Sequence, residues 1–326
     1  MIDQTRIDRY EPLLNAVALP VRPCVGILIP THNDGSNVGP LLERVLEEPA
    51  VSEVVVVASG CDDETVPIVS EVATRTGDRV RLYVEAERSG KASAVNFGLR
   101  HLTTPYAVVI SGDVLPDAGA IAKLLDALAV PGVGLAGGRP VPVNDPGFPI
   151  GHAVHLLWRL HHRLAQRQPK LGEMIAIRSE AVVALPQTSV DEACFQAILE
   201  TSGWRSAYVA DAVVRNRGPE TLADFVRQRR QIHTGHLWLR QKQHYAVPSL
   251  HLGLLAHELW CDLRADRQRV RPRQLMWTAG TVVIEGWARL LAHLDYAKGK
   301  EDHVWPMVQS TKGSPTDPDG VGLRGV

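Results

Sequence analysis

Cysteine is scarce in this chain. The four present, Cys24, Cys61, Cys194 and Cys261, stand far apart and form no CxxC pair. That argues against a zinc site built on paired thiolates and against a disulfide framework, and it fits a reducing compartment. Net charge is almost absent as well: 35 Lys and Arg against 36 Asp and Glu leave a formal −1. Without a basic excess, no nucleic-acid partner is expected. No apolar run reaches the roughly 18 to 20 residues that cross a membrane. The first ten residues are polar, so no secretory leader is read there, and the chain is expected in the cytoplasm. No GxGxxG follows the first strand, and GxxxxGK[ST], HExxH and GxSxG do not occur. These absences weigh against a dinucleotide enzyme, a P-loop protein, a zinc peptidase and a serine hydrolase.

What is present is a globular composition, 45% hydrophobic and 22% charged over 326 residues, enough to bury a sizeable core. The run CVGILIP at 24–30 is continuously apolar and ends at proline, the pattern of a strand buried on both faces. The turn-forming stretch THNDGSN follows, and 38–46 carries a helical pattern. The order then repeats, with a valine strand at 54–57, the polar loop SGCDDET, a helix at 66–74 and a third strand at 80–84. Next come a Gly-Lys turn, a helix at 92–100, a short buried strand at 106–111 and an acidic turn closed by Pro116. Strand, loop and helix joined by short connections predict an α/β fold, a doubly wound, mostly parallel sheet with helices on both faces. Its polar loops should share one crevice at the carboxyl ends of the strands.

The second half is less regular. It reads as a glycine-rich strand at 132–142, a helix at 149–167, a buried strand at 171–179 and an acidic helix start at 190–192. A strand pair at 204–218, a basic helix at 222–243 and apolar helical stretches at 250–264 and 276–296 follow. The tail from 311 is rich in Gly, Pro, Ser and Asp and reads as disordered.

Several side chains could carry chemistry, and each also has a plainer role. Asp113, at a strand-to-turn position, can hold Mg²⁺ or Mn²⁺ or can cap its turn. Lys91, at a helix start after glycine, can meet a phosphate or be a solvated lysine. Asp62, Asp63 and Glu64 can hold a base or ribose, but read better as helix caps. Asp191 and Glu192 open an apolar helix, as a general base or as a cap. The cluster Arg227, Gln228, Arg229 and Arg230 can clamp a diphosphate or form a solvated basic face.

Taken in order, these pieces resemble the family 2 glycosyltransferases, which have the GT-A fold. The matching segments are IPTHND (29–34), VVVASGCDDET (55–65), RSGKASAVNFGL (88–99), VISGDVLP (109–116), GEMIAIR (172–178), VDEACFQAIL (190–199) and RNRGPETLADFVRQRRQ (215–231). The resemblance implies inverting, non-processive transfer from a nucleotide-diphosphate sugar to an acceptor hydroxyl. Glu192 or Asp191 would be the base, and Asp113 would hold a divalent cation, Mg²⁺ or Mn²⁺. Donor contacts would come from Pro30, Thr31, Asn33, Ala58, Ser59, Lys91, Ser111, Gly112, Asp113, Arg229 and Arg230. Gly172, Glu173, Met174 and Gln228 would lie on the acceptor side. Departures are visible: Ala58 and Ser59 stand where the family often has two aspartates, DxD is reduced to Ser111-Gly112-Asp113, and Glu-Asp is inverted to Asp191-Glu192.

The expected organisation is a lead-in at 1–22, a GT-A domain at 23–245, a helical C-terminal appendage at 246–310 and the tail at 311–326. The sequence does not name the acceptor; a lipid-linked or a small molecule is the expectation. The short amphipathic runs beside the basic segment 264–273 suit either a peripheral contact at the inner face of a membrane or a lid over a lipid-linked acceptor, or else packing against the catalytic domain or a dimer partner. The reduced DxD keeps open a non-catalytic relative that binds a nucleotide or a lipid head group. A nucleotidyltransferase and a structural adaptor fit the motifs less well.

Overall fold

The computed structural model describes residues 24–265, 272–300 and 311–313. The lead-in, residues 266–271 of the basic segment and the tail after 313 lie outside the described residues. A single eight-stranded sheet has the order β3-β2-β1-β4-β7-β6-β8-β5. Its strands are β1 (Val25–Thr31), β2 (Val51–Ser59), β3 (Val80–Glu85), β4 (Tyr106–Ile110), β5 (Val114–Pro116), β6 (Val133–Pro142), β7 (Met174–Arg178) and β8 (Arg205–Asn216). The first four pair in parallel. Every residue of β1 is buried, which is why it reads as an unbroken apolar run. The expected strand pair at 204–218 is one bent strand, β8. Its pairing with β6 slips between Val133 and Leu135 and again between Gly137 and Arg139, so a single strand carries three registers.

Helices cover both faces. α1 (Gly35–Leu46), α2 (Thr65–Thr76) and α4 (Ala120–Leu128) bury Val38, Leu41, Val69, Ile121 and Leu124 against Ile27, Val54 and Val108 on one side. α3 (Lys91–Leu99) and α6 (Asp191–Thr201) bury Ala92, Val95, Phe195 and Leu199 against Leu28, Val55 and Ile175 on the other. The alternation along β1 and β2 thus feeds two cores from one run.

One pairing decides where the chemistry can sit. β7 runs antiparallel to β4, with Ile110 opposite Met174. The start of β7 therefore meets the end of β4, and the Ser111 N–H donates to the Glu173 carbonyl at 3.4 Å.

Four further helices lie outside these two layers. α5 (Pro149–Arg167) starts on proline, which suits a first turn that lacks an N–H partner. α7 (Leu222–Gln243) is capped by the Thr221 hydroxyl, which accepts from the Asp224 N–H at 3.1 Å. α8 (Leu252–Ala265) packs on α5, and α9 (Pro272–Ala297) packs on α7 and α5. Among the described residues, no helix is long and apolar enough to cross a membrane.

The first turn of α5 is held tightly. A Cβ on Gly151 would lie 1.9 Å from the Asp145 carbonyl oxygen, a main-chain atom that cannot rotate away. Overpacking of this kind costs about 1–3 kcal/mol, against a helix-propensity gain of about 1 kcal/mol. Gly151→Ala is therefore expected to lower the thermal midpoint. An unchanged midpoint would mean that the 144–148 turn shifts freely.

Candidate active site

The carboxyl ends of β1, β2 and β4, the head of β7 and the start of α6 border one cavity of 660 Å³. The expectation that the polar loops share a crevice holds. Gly112 makes the closest approach: a Cβ there would lie 2.6 Å from Thr31 Oγ1 and 2.7 Å from Asp34 Oδ2. Only glycine lets the β4 loop rest against the β1 loop, and that contact sets Asp113 beside Asp34.

Asp34 is buried by its own loop. Its Oδ2 accepts from the Thr31 hydroxyl at 2.8 Å and the His32 N–H at 3.1 Å. Burial and the neighbouring Asp113 raise its carboxyl above the usual range, while Lys312 opposes them. The Lys312 ammonium sits 2.6 Å from Asp34 Oδ1 and 3.9 Å from Asp113 Oδ2. Its carbonyl accepts from Asn37 Nδ2 at 3.2 Å. The disorder read from 311 onward thus does not extend to Thr311–Gly313, which lie against the site.

Across the cavity, the Lys91 ammonium lies 2.6 Å from Glu192 Oε1 and 3.1 Å from Asp191 Oδ2. Lys91, read as able to meet a phosphate, is paired here with these two carboxylates. Burial and the adjacent Glu192 raise Asp191. For Glu192, the pull of Lys91 overcomes the cost of burial and the net shift is downward. One member of the pair therefore stays ionised and the other tends to hold a proton.

Glu173, at the head of β7, adopts φ +64°, a left-handed conformation that a non-glycine residue holds only when its surroundings enforce it. Burial, then Asp113 and Glu192, push its carboxyl up to about 8. Asn216 Nδ2 donates to it at 3.2 Å.

Of the residues predicted from sequence, Pro30, Thr31, Ser59, Lys91, Ser111, Gly112, Asp113, Gly172, Glu173, Asp191, Glu192, Gln228 and Arg229 border the cavity. Four do not. Ala58 and Met174 are fully buried in the core. Asn33 turns to Asp62, to which its Nδ2 donates at 2.6 Å. Arg230 faces away and pairs with Asp295. Asp63 is a cap, as its residue type suggests, accepting from the Thr65 N–H at 3.0 Å and the Gly35 N–H at 2.9 Å. Sequence reasoning missed Asp34, Lys170, Arg289 and Lys312, all at the cavity. Asp34 was visible in the quoted THND loop, but Lys312 carries no local signal.

The donor set suits a hard divalent cation. Asp113 and the buried Asp34 are hard oxygen ligands whose charge is met by one ammonium. Among the described residues, no group of three or more side chains could hold a metal alone. The remaining ligands would come from water or substrate phosphate, the usual pattern for such ions.

Two outcomes follow. A cation on Asp113 competes with Lys312 for the same negative charge, so Lys312→Ala is expected to tighten Mn²⁺ binding several-fold by calorimetry. A weaker or unchanged affinity would show that the ammonium does not share that seat. Glu173 has a raised folded pKa, so its ionisation opposes folding. The penalty is absent below its ordinary 4.5, grows up to about 8 and is constant above. Glu173→Gln is thus expected to stabilise the protein increasingly across that window in denaturant titrations at several pH values.

The chain matches the description Glycosyl transferase family 2 over residues 26–184. An uncharacterized glycosyltransferase of Mycobacterium tuberculosis (strain H37Rv) is 32% identical over 165 residues, covering 49% of this chain and 70% of that protein. The uncharacterized glycosyltransferase YaiP of Escherichia coli K12 is 29% identical over 104 residues, 31% of this chain and only 26% of that protein. Among solved structures, a mannosyltransferase from Pyrobaculum calidifontis, in complex with GDP-Man and Mn²⁺, superimposes with a TM-score of 0.61 at 22% identity, over 91% of this chain and 95% of that one. The eight-stranded mixed sheet with its C-terminal helices is the GT-A architecture. By these matches, the chain belongs to glycosyl transferase family 2.

Proposed function

We propose that the protein is an inverting, non-processive glycosyltransferase that moves a sugar from a nucleotide-diphosphate donor to an acceptor hydroxyl. One observation carries the reading: the Asp113 loop, the Lys91–Glu192 pair and Glu173 border a single cavity. Thr31, Ser59, Ser111 and Gly112 form the donor end, beside Asp113 and Asp34. A divalent ion, Mn²⁺ or Mg²⁺, would supply positive charge to the diphosphate leaving group when bound. Glu192 is the ionised member of its pair and accepts the proton of the acceptor hydroxyl as the oxygen attacks the anomeric carbon. Lys91 fixes that carboxylate in place. Glu173 and Gln228 flank the acceptor. At this level the acceptor is a lipid or a small molecule, and a peripheral contact at the cytoplasmic face of a membrane accompanies the first. The GDP-Man and Mn²⁺ of the Pyrobaculum enzyme make GDP-sugars the first donors to try. The Lys312 ammonium on Asp34 and Asp113 favours one rival, a relative that binds a nucleotide without transferring anything.

Thermal shifts with UDP, GDP, TDP and CDP, each with and without Mn²⁺ or Mg²⁺, test donor binding. A ligand at a hundred times its Kd adds about 2.7 kcal/mol of stability. A metal-dependent shift with one nucleotide, lost in Asp113→Ala, is expected. With that donor, Glu192→Gln should lower kcat by about 10²- to 10⁴-fold while the nucleotide shift survives. Nucleotide binding without turnover of any donor would favour the rival, and full activity in both Glu192→Gln and Asp191→Asn would remove the base assignment.

A further inference from the structure

The two C-terminal helices are amphipathic in the opposite sense from helices that simply pack on a protein. α9 buries Thr278, Thr281, Ala288, Ala292 and Asp295. Its Glu285 and Asp295 take Arg229 and Arg230 of α7 as ion pairs. α8 buries Glu258, only 1% exposed, against Arg163 and Arg167 of α5. The acidic groups face inward, and the large side chains left outside are mostly apolar. Met276, Val283, Trp287, Leu290 and Leu294 recur at helical spacing along α9, between 48% and 71% exposed. Nine of the thirteen exposed large hydrophobic side chains among the described residues lie on α8 and α9. That concentration is a patch, not the scatter usual on a surface.

The catalytic cavity opens through this patch. α8 and α9 each pack on α5 and hardly touch one another. The slot between them is walled by Leu252 and Ala256 from α8 and by Val282 and Gly286 from α9, four residues that are exposed and also line the cavity. Each pair is spaced i, i+4 and so points one way from its helix. Further in, Leu255, Leu259 and Leu157 keep the wall aliphatic. Then the chemistry changes: Lys170, Arg229 and Arg289 stand against the single carboxylate of Glu285. The same cavity also borders Lys91 and Glu192, and Lys170 of the collar interacts electrostatically with Glu192.

We propose that the acceptor is an amphiphile with an anionic head. Its hydrocarbon chain occupies the slot between α8 and α9, its head reaches the cationic collar, and it enters from a lipid surface on which the outer faces of the two helices rest. The word acceptor depends on the transfer reading, whereas the amphiphile site does not. A second copy of the chain seated on this patch would close the route to Glu192, while a lipid surface keeps it supplied. The margins of the patch agree. Arg264 lies over Trp260 at 4.5 Å and Arg273 over Trp277 at 5.3 Å, where α8 ends and α9 begins. Stacked aromatic and cationic side chains of this sort settle at the headgroup level.

The test measures binding of inorganic phosphate, butyl phosphate and octyl phosphate to the full chain by calorimetry, below the concentration at which octyl phosphate forms micelles. Each buried methylene is worth about fourfold in affinity, so octyl phosphate, four methylenes longer, should bind about two-hundredfold more tightly than butyl phosphate. Gly286→Trp should abolish that gain by filling the slot. A Cβ at Gly286 meets nothing within 4 Å, so the fold should tolerate the change. A chain-length response that is flat in the wild type, or kept in Gly286→Trp, overturns the slot. In a separate flotation assay on phosphatidylcholine vesicles with and without phosphatidylglycerol, the wild type should float and the Val283→Glu, Leu290→Glu double variant should not. A solution dimer that the double variant dissociates, with no flotation, assigns the patch to a second copy and overturns the lipid surface. Metal-dependent nucleotide binding in the same samples separates the two readings. If it fails while the octyl gain stands, the transfer reading falls alone. If it holds while the chain-length response is flat, the amphiphile falls alone.

Discussion

The Lys91 ammonium is what allows the rest of the centre to exist. Two adjacent carboxylates at the head of α6 repel each other in a buried site, and without a cation beside them neither would readily stay ionised. Lys91, at the first position of α3, meets both. It thereby ties the parallel half of the sheet, which carries α3, to the segment that follows the antiparallel β7. The cavity lies between these halves, so the ion pair fixes its width as well as its charge. The Glu173 backbone serves the same geometry from below, accepting an unusual φ so that a carboxylate can look into the space between Asp113 and Glu192.

Much of this centre was legible in the chain because its parts sit where local rules are strong. Buried strands read as apolar runs, and the loops after them read as turn formers. Ser59, Asp113, Glu173 and Glu192 were found this way, together with the resemblance of the ordered segments. Ala58 and Met174 misled because a motif fixes sequence position, not the side of the strand to which a residue points, and both face the core. Arg229 and Arg230 are neighbours in sequence but lie about 100° apart around a helix, so only one can face the cavity. Asp34 and Lys312 form one ion pair although they are separated by most of the chain, a contact that no local pattern reports.

The apolar stretches at the C-terminus left two readings open because hydrophobic spacing alone gives a stripe and not its direction. The structure supplies the direction through the partners of the other face. Arg229, Arg230, Arg159, Arg163 and Arg167 claim acidic residues of α8 and α9, which leaves the apolar side nowhere to turn but out.

Those arginine pairs have a further consequence for the slot itself. Greasy interfaces tolerate sliding, since one methyl group replaces another at little cost. A guanidinium forked onto a carboxylate does not, because its donors match only one placement. Held in this way, α8 and α9 act less like a lid resting on the domain than like the jaws of a caliper, their separation set by the reach of charged side chains rather than by the object between them.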